Sequence, residues 1–242
     1  MISRACDLNK RAICPTNYEK ETKMTLFRTA KPVALAFLIA LGWFAQSTTS
    51  QAAGTETLTV AGGCFWCVES DFESVKGVKG AVSGYAGGKV ANPTYKQVVS
   101  GGTGHYEAVQ ITFDPGIVSR DELLSKFFRS VDPTDAGGQF CDRGASYSTA
   151  IFASGSAQKA AAEQAKSEAQ SALGKKVVTP ILGATKFYTA EAYHQDYYKG
   201  SKIVLTRFGP KTQAKAYKAY RDACGRDQRV KQLWGNAAAF LG

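Results

Sequence analysis

The sequence predicts an α+β fold: a two-layer α/β sandwich with a ferredoxin-like split βαβ core, a mainly antiparallel sheet and a wrapping C-terminal tail. Three observations point there. Apolar periodicity switches between two and about 3.6 residues in the order strand, helix, strand, strand, helix, strand. The composition, 44% hydrophobic with 21% charged residues, is that of a globular chain. No internal repeat or long low-complexity linker breaks the pattern.

Each element has its own local signal. Residues 57–61 alternate as a strand that runs into Gly62 and Gly63, where the chain turns. From about Cys64 a helix is expected, because Phe65, Val68, Phe72 and Val75 recur at helical spacing while Glu69, Asp71 and Glu73 fall off that stripe. Gly77 and Gly80 end it. A strand at 81–85, a loop at 87–93, a short helix at 95–99 and a strand at 107–113 follow, closed by the turn at 114–116. Ser119 and Glu122 read as a capping box for a helix whose buried face is Leu123, Leu124, Phe127, Phe128 and Val131. A long loop at 132–145 leads to a strand at 147–153. An alanine-rich helix at about 157–173 is stopped by Gly174, and a strand at 177–182 carries Pro180, a mark of a sheet edge.

The formal charge of +10 comes from 30 bases and 20 acids. Part of the excess lies in the first 53 residues, and the remainder carries +6 spread along the chain, which argues for a basic surface rather than a nucleic-acid site. From Met24 a basic start (Arg28, Lys31), an apolar run at 33–45 and a small polar stretch at 47–53 have the layout of a secretory signal peptide, with cleavage near Ala52 or Ala53. The run falls short of the roughly 20 apolar residues that span a bilayer, so no stable membrane insertion is expected after cleavage. Residues 1–23 read as an upstream extension or a misassigned start, 24–53 as the signal peptide, 54–200 as the catalytic domain and 201–242 as a tail packing on it. The expected location is outside the cytoplasm, in the periplasm. There Cys64, Cys67, Cys141 and Cys224 of the mature chain can form bridges or carry redox chemistry.

Gly62, Gly63, Cys64, Phe65, Trp66 and Cys67 place a cysteine at the first turn of a helix following a strand. Unpaired N–H groups and the helix dipole there favour an anion, so a thiolate is expected at Cys64, with Cys67 one turn on and suited to resolve its oxidised form. A zinc site needs further ligands at suitable spacing, and the sequence offers only His105 and His194, both read as packed histidines. A static bridge across so short a loop would add little stability, which favours redox work. Phe65 falls on the buried stripe; Trp66 does not, which suggests that it lines an apolar pocket for a methyl group.

Gly63-Cys64-Phe65-Trp66, Gly84-Tyr85-Ala86-Gly87-Gly88, Asn92-Pro93-Thr94-Tyr95, Gly104-His105-Tyr106-Glu107-Ala108-Val109 and Asp142-Arg143-Gly144-Ala145-Ser146-Tyr147-Ser148 occur in this order, with Tyr193-His194-Gln195 near the end. Over roughly residues 58–200 the chain resembles the peptide methionine sulfoxide reductases of the A type. The resemblance implies reduction of the S epimer of methionine sulfoxide, free or in proteins, with no metal or organic cofactor and electrons from a thioredoxin-type dithiol. It implies Cys64 as nucleophile, Glu107 as proton donor to the oxygen, Tyr95 and Tyr147 as hydrogen-bond donors to it, Asp142 as an ordering group, and Phe65 and Trp66 against the substrate. Attack leaves Cys64 as a sulfenic acid that a second thiol condenses to a disulfide. Many members of that family have Gly at the position of Cys67 and recycle through distal cysteines. Here Cys67 is the first candidate, with Cys224, in a glycine-containing tail free to swing in, and Cys141 as relays. The aromatics and bases of the tail (Tyr217, Tyr220, Arg221, Trp234) are expected to be cover, and the protein a monomer. Two other readings compete: a thioredoxin-like disulfide oxidoreductase, and an exported basic module held by a Cys64–Cys67 bridge.

Overall fold

A computed structural model describes residues 54–207 and 209–241; the predicted upstream extension and signal peptide lie outside them. Strand β1 (Glu56–Gly62) leads into helix α1 (Phe65–Glu73), then strand β2 (Val78–Ala86), the short helix α2 (Tyr95–Val99) and strand β3 (Tyr106–Phe113). Helix α3 (Arg120–Phe128) follows, then a two-residue hairpin of β4 (Gly138–Gln139) and β5 (Asp142–Arg143), a 3₁₀ turn at Ala145–Tyr147, strand β6 (Thr149–Ala153) and helix α4 (Gly155–Leu173). The main sheet is completed by β7 (Ile181–Gly183) and β8 (Tyr188–Thr189), in the order β7-β6-β1-β3-β2-β8. Every pairing is antiparallel except β6 with β7, which the α4 crossover makes parallel. The central order β6-β1-β3-β2 is that of the predicted split βαβ core.

Period-two alternation assigns the two faces of the sheet. Leu58, Val60, Val109, Ile111, Phe113 and Ile151 meet Phe65, Val68 and Phe72 of α1, Leu123, Leu124, Phe127 and Phe128 of α3, and the alanines of α4. The opposite face is lined by the small side chains Ala61, Ala86, Ala108 and Ala150 with Phe152. Glu107 stands two residues before Val109 on the same strand, and alternation therefore turns it toward the helix layer, at the end of the core where α1 begins.

Several boundaries differ from the sequence-based expectation for local reasons. The strand predicted from 147 starts at Thr149, because Ser146 and Tyr147 close a 3₁₀ turn on Gly144. The strand predicted at 177–182 begins only at Ile181, after Pro180, although it does lie at the sheet edge. The loop at 132–145 holds the β4–β5 hairpin, tied by a bidentate Arg143–Asp135 pair. Ser119 caps α3 through the Glu122 N–H alone, while the Glu122 carboxylate turns to Lys126; the reciprocal capping box occurs at Thr94 and Gln97, opening α2.

The tail is ordered. After the hairpin of β9 (Ile203–Thr206) and β10 (Gly209–Thr212), helices α5 (Gln213–Cys224) and α6 (Arg226–Trp234) turn on Gly225 and return to the domain. Arg221 pairs with Asp71 of α1, Arg229 with Asp132, and Trp234 is buried against Val131. Cys224 ends α5 in a disulfide with Cys141, 83 residues away, so it is held in place rather than free to swing.

Candidate active site

Gly63 has φ +82°, and a Cβ there would come within 2.6 Å of the Gln139 Cβ. Glycine thus allows the chain to turn from β1 into α1 directly over Gln139, whose buried amide is fixed by Asp132 and Gly138. This turn puts Cys64 at the N-cap of α1. The first N–H of the helix, that of Phe65, is an orphan by helix geometry and donates to Glu107 Oε2 at 3.0 Å. Cys64 and Glu107 are thereby locked side by side.

Cys64, Phe65, Trp66, Tyr95, Glu107, Asp142, Tyr147 and Tyr220 line one cavity of about 90 Å³, room for the end of a side chain. The structure thus brings together all five residues predicted to do chemistry and both predicted to touch substrate. A larger, more open groove of about 420 Å³ lies beside α1 and α5, but no thiol lines it. Trp66 stacks face to face on Tyr197, ring centroids 3.9 Å apart, which fixes it as one wall. Tyr95 is placed by Glu191, which accepts from its N–H at 2.9 Å and from the Tyr85 hydroxyl at 2.7 Å.

Burial governs the electrostatics. It pushes the Glu107 carboxyl up to about 8 against the opposing Phe65 N–H, so the acid is neutral at pH 7. Tyr147 lines the cavity beside Glu107 and Tyr95. Burial also raises Tyr95, to about 12, and Tyr147 and Tyr220, so all three stay protonated donors. Asp142 is raised by burial and accepts from the Tyr220 hydroxyl.

The thiols correct one expectation. Cys64, 8% exposed, faces the cavity, whereas Cys67 is 2% exposed and lies beneath. The neighbouring Cys67, burial and the charges of Glu107 and Asp142 raise Cys64, while the neighbouring Cys64, with Arg226 and Arg221, lowers Cys67 against its burial. The Cys64 thiol is thus held up rather than down, and the Phe65 N–H at the start of α1 is spent on Glu107.

Cys141 and Cys224 are bonded to each other at the rim, where Cys141 precedes Asp142 and Cys224 follows Tyr220 by one helical turn. Sequence reasoning took Tyr220 and Arg221 as cover. Tyr220 is a cavity wall, and Arg221 lies under the thiols, on Asp71. The signal was the helical spacing of Tyr217, Tyr220, Arg221 and Cys224. Of the two histidines, His105 is held between the Gly88 N–H and the Val90 carbonyl, away from the cavity. His194 packs on Phe65 and Tyr95, kept neutral by burial that lowers it to about 4.

Residues 56–236 match the family model described as peptide methionine sulfoxide reductase. A relative from Rhizobium meliloti, peptide methionine sulfoxide reductase MsrA 2, is 48% identical over 189 residues, 78% of this chain and 88% of its own length. A protein of the same name from Staphylococcus aureus is 46% identical over 76% of this chain and 98% of its own. Among solved structures, reduced Mxr1 from Saccharomyces cerevisiae is similar at a TM-score of 0.58 and 32% identity, covering 61% of this chain and 86% of that one. Methionine sulfoxide reductase A of Corynebacterium diphtheriae is similar at 0.57 and 33%, covering 62% and 76%.

Proposed function

This chain belongs to the peptide methionine sulfoxide reductase family and reduces the S epimer of methionine sulfoxide to methionine; we propose that it does so by attack of Cys64 on the sulfoxide sulfur, with Glu107 as the acid. The observation that carries the residue roles is the convergence of a neutral buried carboxyl, two protonated tyrosines and the more exposed thiol on one small cavity. A sulfoxide oxygen needs a proton or strong hydrogen bonds as sulfur is attacked, and Glu107, Tyr95 and Tyr147 are there to supply them. Phe65 and Trp66 take the methyl group, and Asp142, held by Tyr220, orders the polar side of the cavity.

Attack transfers the oxygen to Cys64 as a sulfenic acid and releases methionine. Cys67, one helical turn away and in the same buried cluster as Cys64, condenses with it to a disulfide and water. Electrons then come from a thioredoxin-type dithiol, with no organic cofactor. Cys141 and Cys224 stand second as thiol carriers, since they are already joined to each other.

Incubating the mature protein with a methionine sulfoxide peptide and dithiothreitol, and weighing the peptide, tests the assignment. Wild type should remove one oxygen from the S epimer and leave the R epimer. Cys64→Ser should remove none; an active Cys64→Ser overturns the role of that thiol. Cys67→Ser should release one methionine per enzyme and then stall with a thioredoxin-type reductant.

Export to the periplasm is part of the same proposal, supported by the basic start, apolar run and small-residue stretch after Met24. Mass analysis of periplasmic protein should find a mature chain beginning just after Ala52 or Ala53. We propose a monomer, to be checked by light scattering.

A further inference from the structure

The disulfide at the cavity rim joins two segments that each carry a cavity residue. Cys141 is followed at once by Asp142, and Cys224 ends α5 one helical turn after Tyr220. The Cys141 N–H also donates to Cys224 Sγ at 3.2 Å, and the Tyr220 hydroxyl donates to Asp142 Oδ2. Asp142 and Tyr220 both line the cavity that holds Cys64. Tyr220 has a further neighbour there: its ring meets Trp66 edge-on, with 6.4 Å between centroids and 80° between planes. It therefore connects the apolar wall of the cavity to its polar side.

The hairpin that carries Asp142 is weak on its own account. Its strands β4 and β5 have two residues each, too few to hold a hairpin unaided. Phe140, at the tip, has φ +55°, in the left-handed region that a bulky side chain avoids. Gln139, under the Gly63 turn, and the Arg143–Asp135 pair fix the base, while Cys141 stands exposed at the tip. On the other side of the rim, α5 stops at Cys224, where Gly225 turns the chain at φ +73°. The bridge is the covalent tie between this tip and this helix end.

We propose that Cys141 and Cys224 are positioning residues for substrate binding. Their bridge staples the hairpin tip to the end of α5 and holds Asp142 and Tyr220 together as one wall, so that a closed bridge sets the affinity for methionine sulfoxide. The proposal rests on the reading that this cavity takes the sulfoxide group. At about 90 Å³ the cavity has room only for the end of a side chain, and a small parting of its wall spoils a fit that is otherwise ready before binding. Positioning needs the bond closed, whereas carrying electrons needs it opened in each cycle, so the two tasks can be told apart.

The test is calorimetric binding of a peptide carrying the S epimer of methionine sulfoxide to the protein with Cys64→Ser, purified without reductant, which binds the peptide without consuming it. Adding Cys141→Ser and Cys224→Ser should weaken binding about tenfold, the scale of one hydrogen bond lost from the wall. Dithiothreitol should weaken the bridged protein to the same extent and leave the unbridged one unchanged. Opening the bond takes two electrons and two protons, which dithiothreitol supplies as it closes to its own disulfide. Tyr220→Phe keeps the bridge and the ring and should weaken binding by a smaller factor, with little further loss when the bridge is also removed. Val230→Ala, which thins the buried packing of α6 instead, should leave the affinity unchanged and so separates positioning from general loosening. Equal affinity with and without the bridge, or an equal loss in Val230→Ala, overturns the proposal. If the unbridged protein loses its near-ultraviolet dichroism, Tyr220→Phe decides: weakened binding supports the stapled wall and unchanged binding refutes it. Failure of the underlying reading shows separately, as an affinity that Trp66→Ala leaves unchanged while the bridge is closed.

Discussion

Glu107 shows how a residue's role follows from its register. Standing two positions before Val109, it points into the helix layer, where burial leaves it neutral and the Phe65 N–H holds it beside Cys64. Its acid form is present below about pH 8, so turnover should decline as pH rises through that value. Glu107→Gln should lower kcat by about 10²- to 10⁴-fold and remove the alkaline decline, read from pH-rate profiles on a sulfoxide peptide. Such an orientation can be read from the strand's own alternation, since Glu107, Val109, Ile111 and Phe113 share one face. The resting state of Cys64 could not be read in that way. It depends on the neighbouring Cys67, on burial and on the carboxyls of Glu107 and Asp142, brought in from β3 and β5.

At the level of elements, α5 and the β4–β5 hairpin are joined twice, by the Tyr220–Asp142 hydrogen bond and by the Cys141–Cys224 disulfide. The bridge closes a long segment, and Cys224→Ser should lower stability by about 2–5 kcal/mol in urea unfolding under non-reducing conditions. Dithiothreitol should lower the wild type toward the same midpoint and leave the variant unchanged. Helices and strands with clean periodicity, such as α3 and β3, were legible in the sequence. The partner of Tyr220 was not, because it lies 78 residues away across a loop whose two-residue strands carry no periodic signal. Likewise the Ser119–Glu122 pattern resembled a capping box, but Lys126, one turn on, draws off the carboxylate that would have completed it.

For the molecule as a whole, two buried glutamates contribute to how stability responds to pH. Burial raises Glu69, bonded to Ser83 and the Asp196 N–H, to about 7, and Glu107 to about 8. In the unfolded chain both ionise near the ordinary carboxyl value, so the folded state holds extra protons between that value and pH 7 to 8. Their contribution is fully present below the unfolded pKa and is lost as pH rises through the folded one. The urea midpoint should therefore fall between about pH 5 and about pH 9, and the double variant Glu69→Gln, Glu107→Gln should flatten that fall. The order of the chain adds a consequence in time. Tyr220, which walls the cavity, is synthesised more than 150 residues after Cys64, and domains fold as their segments emerge. A polypeptide still leaving the ribosome carries the nucleophile without its surroundings, so the catalyst assembles only after that distant segment has emerged.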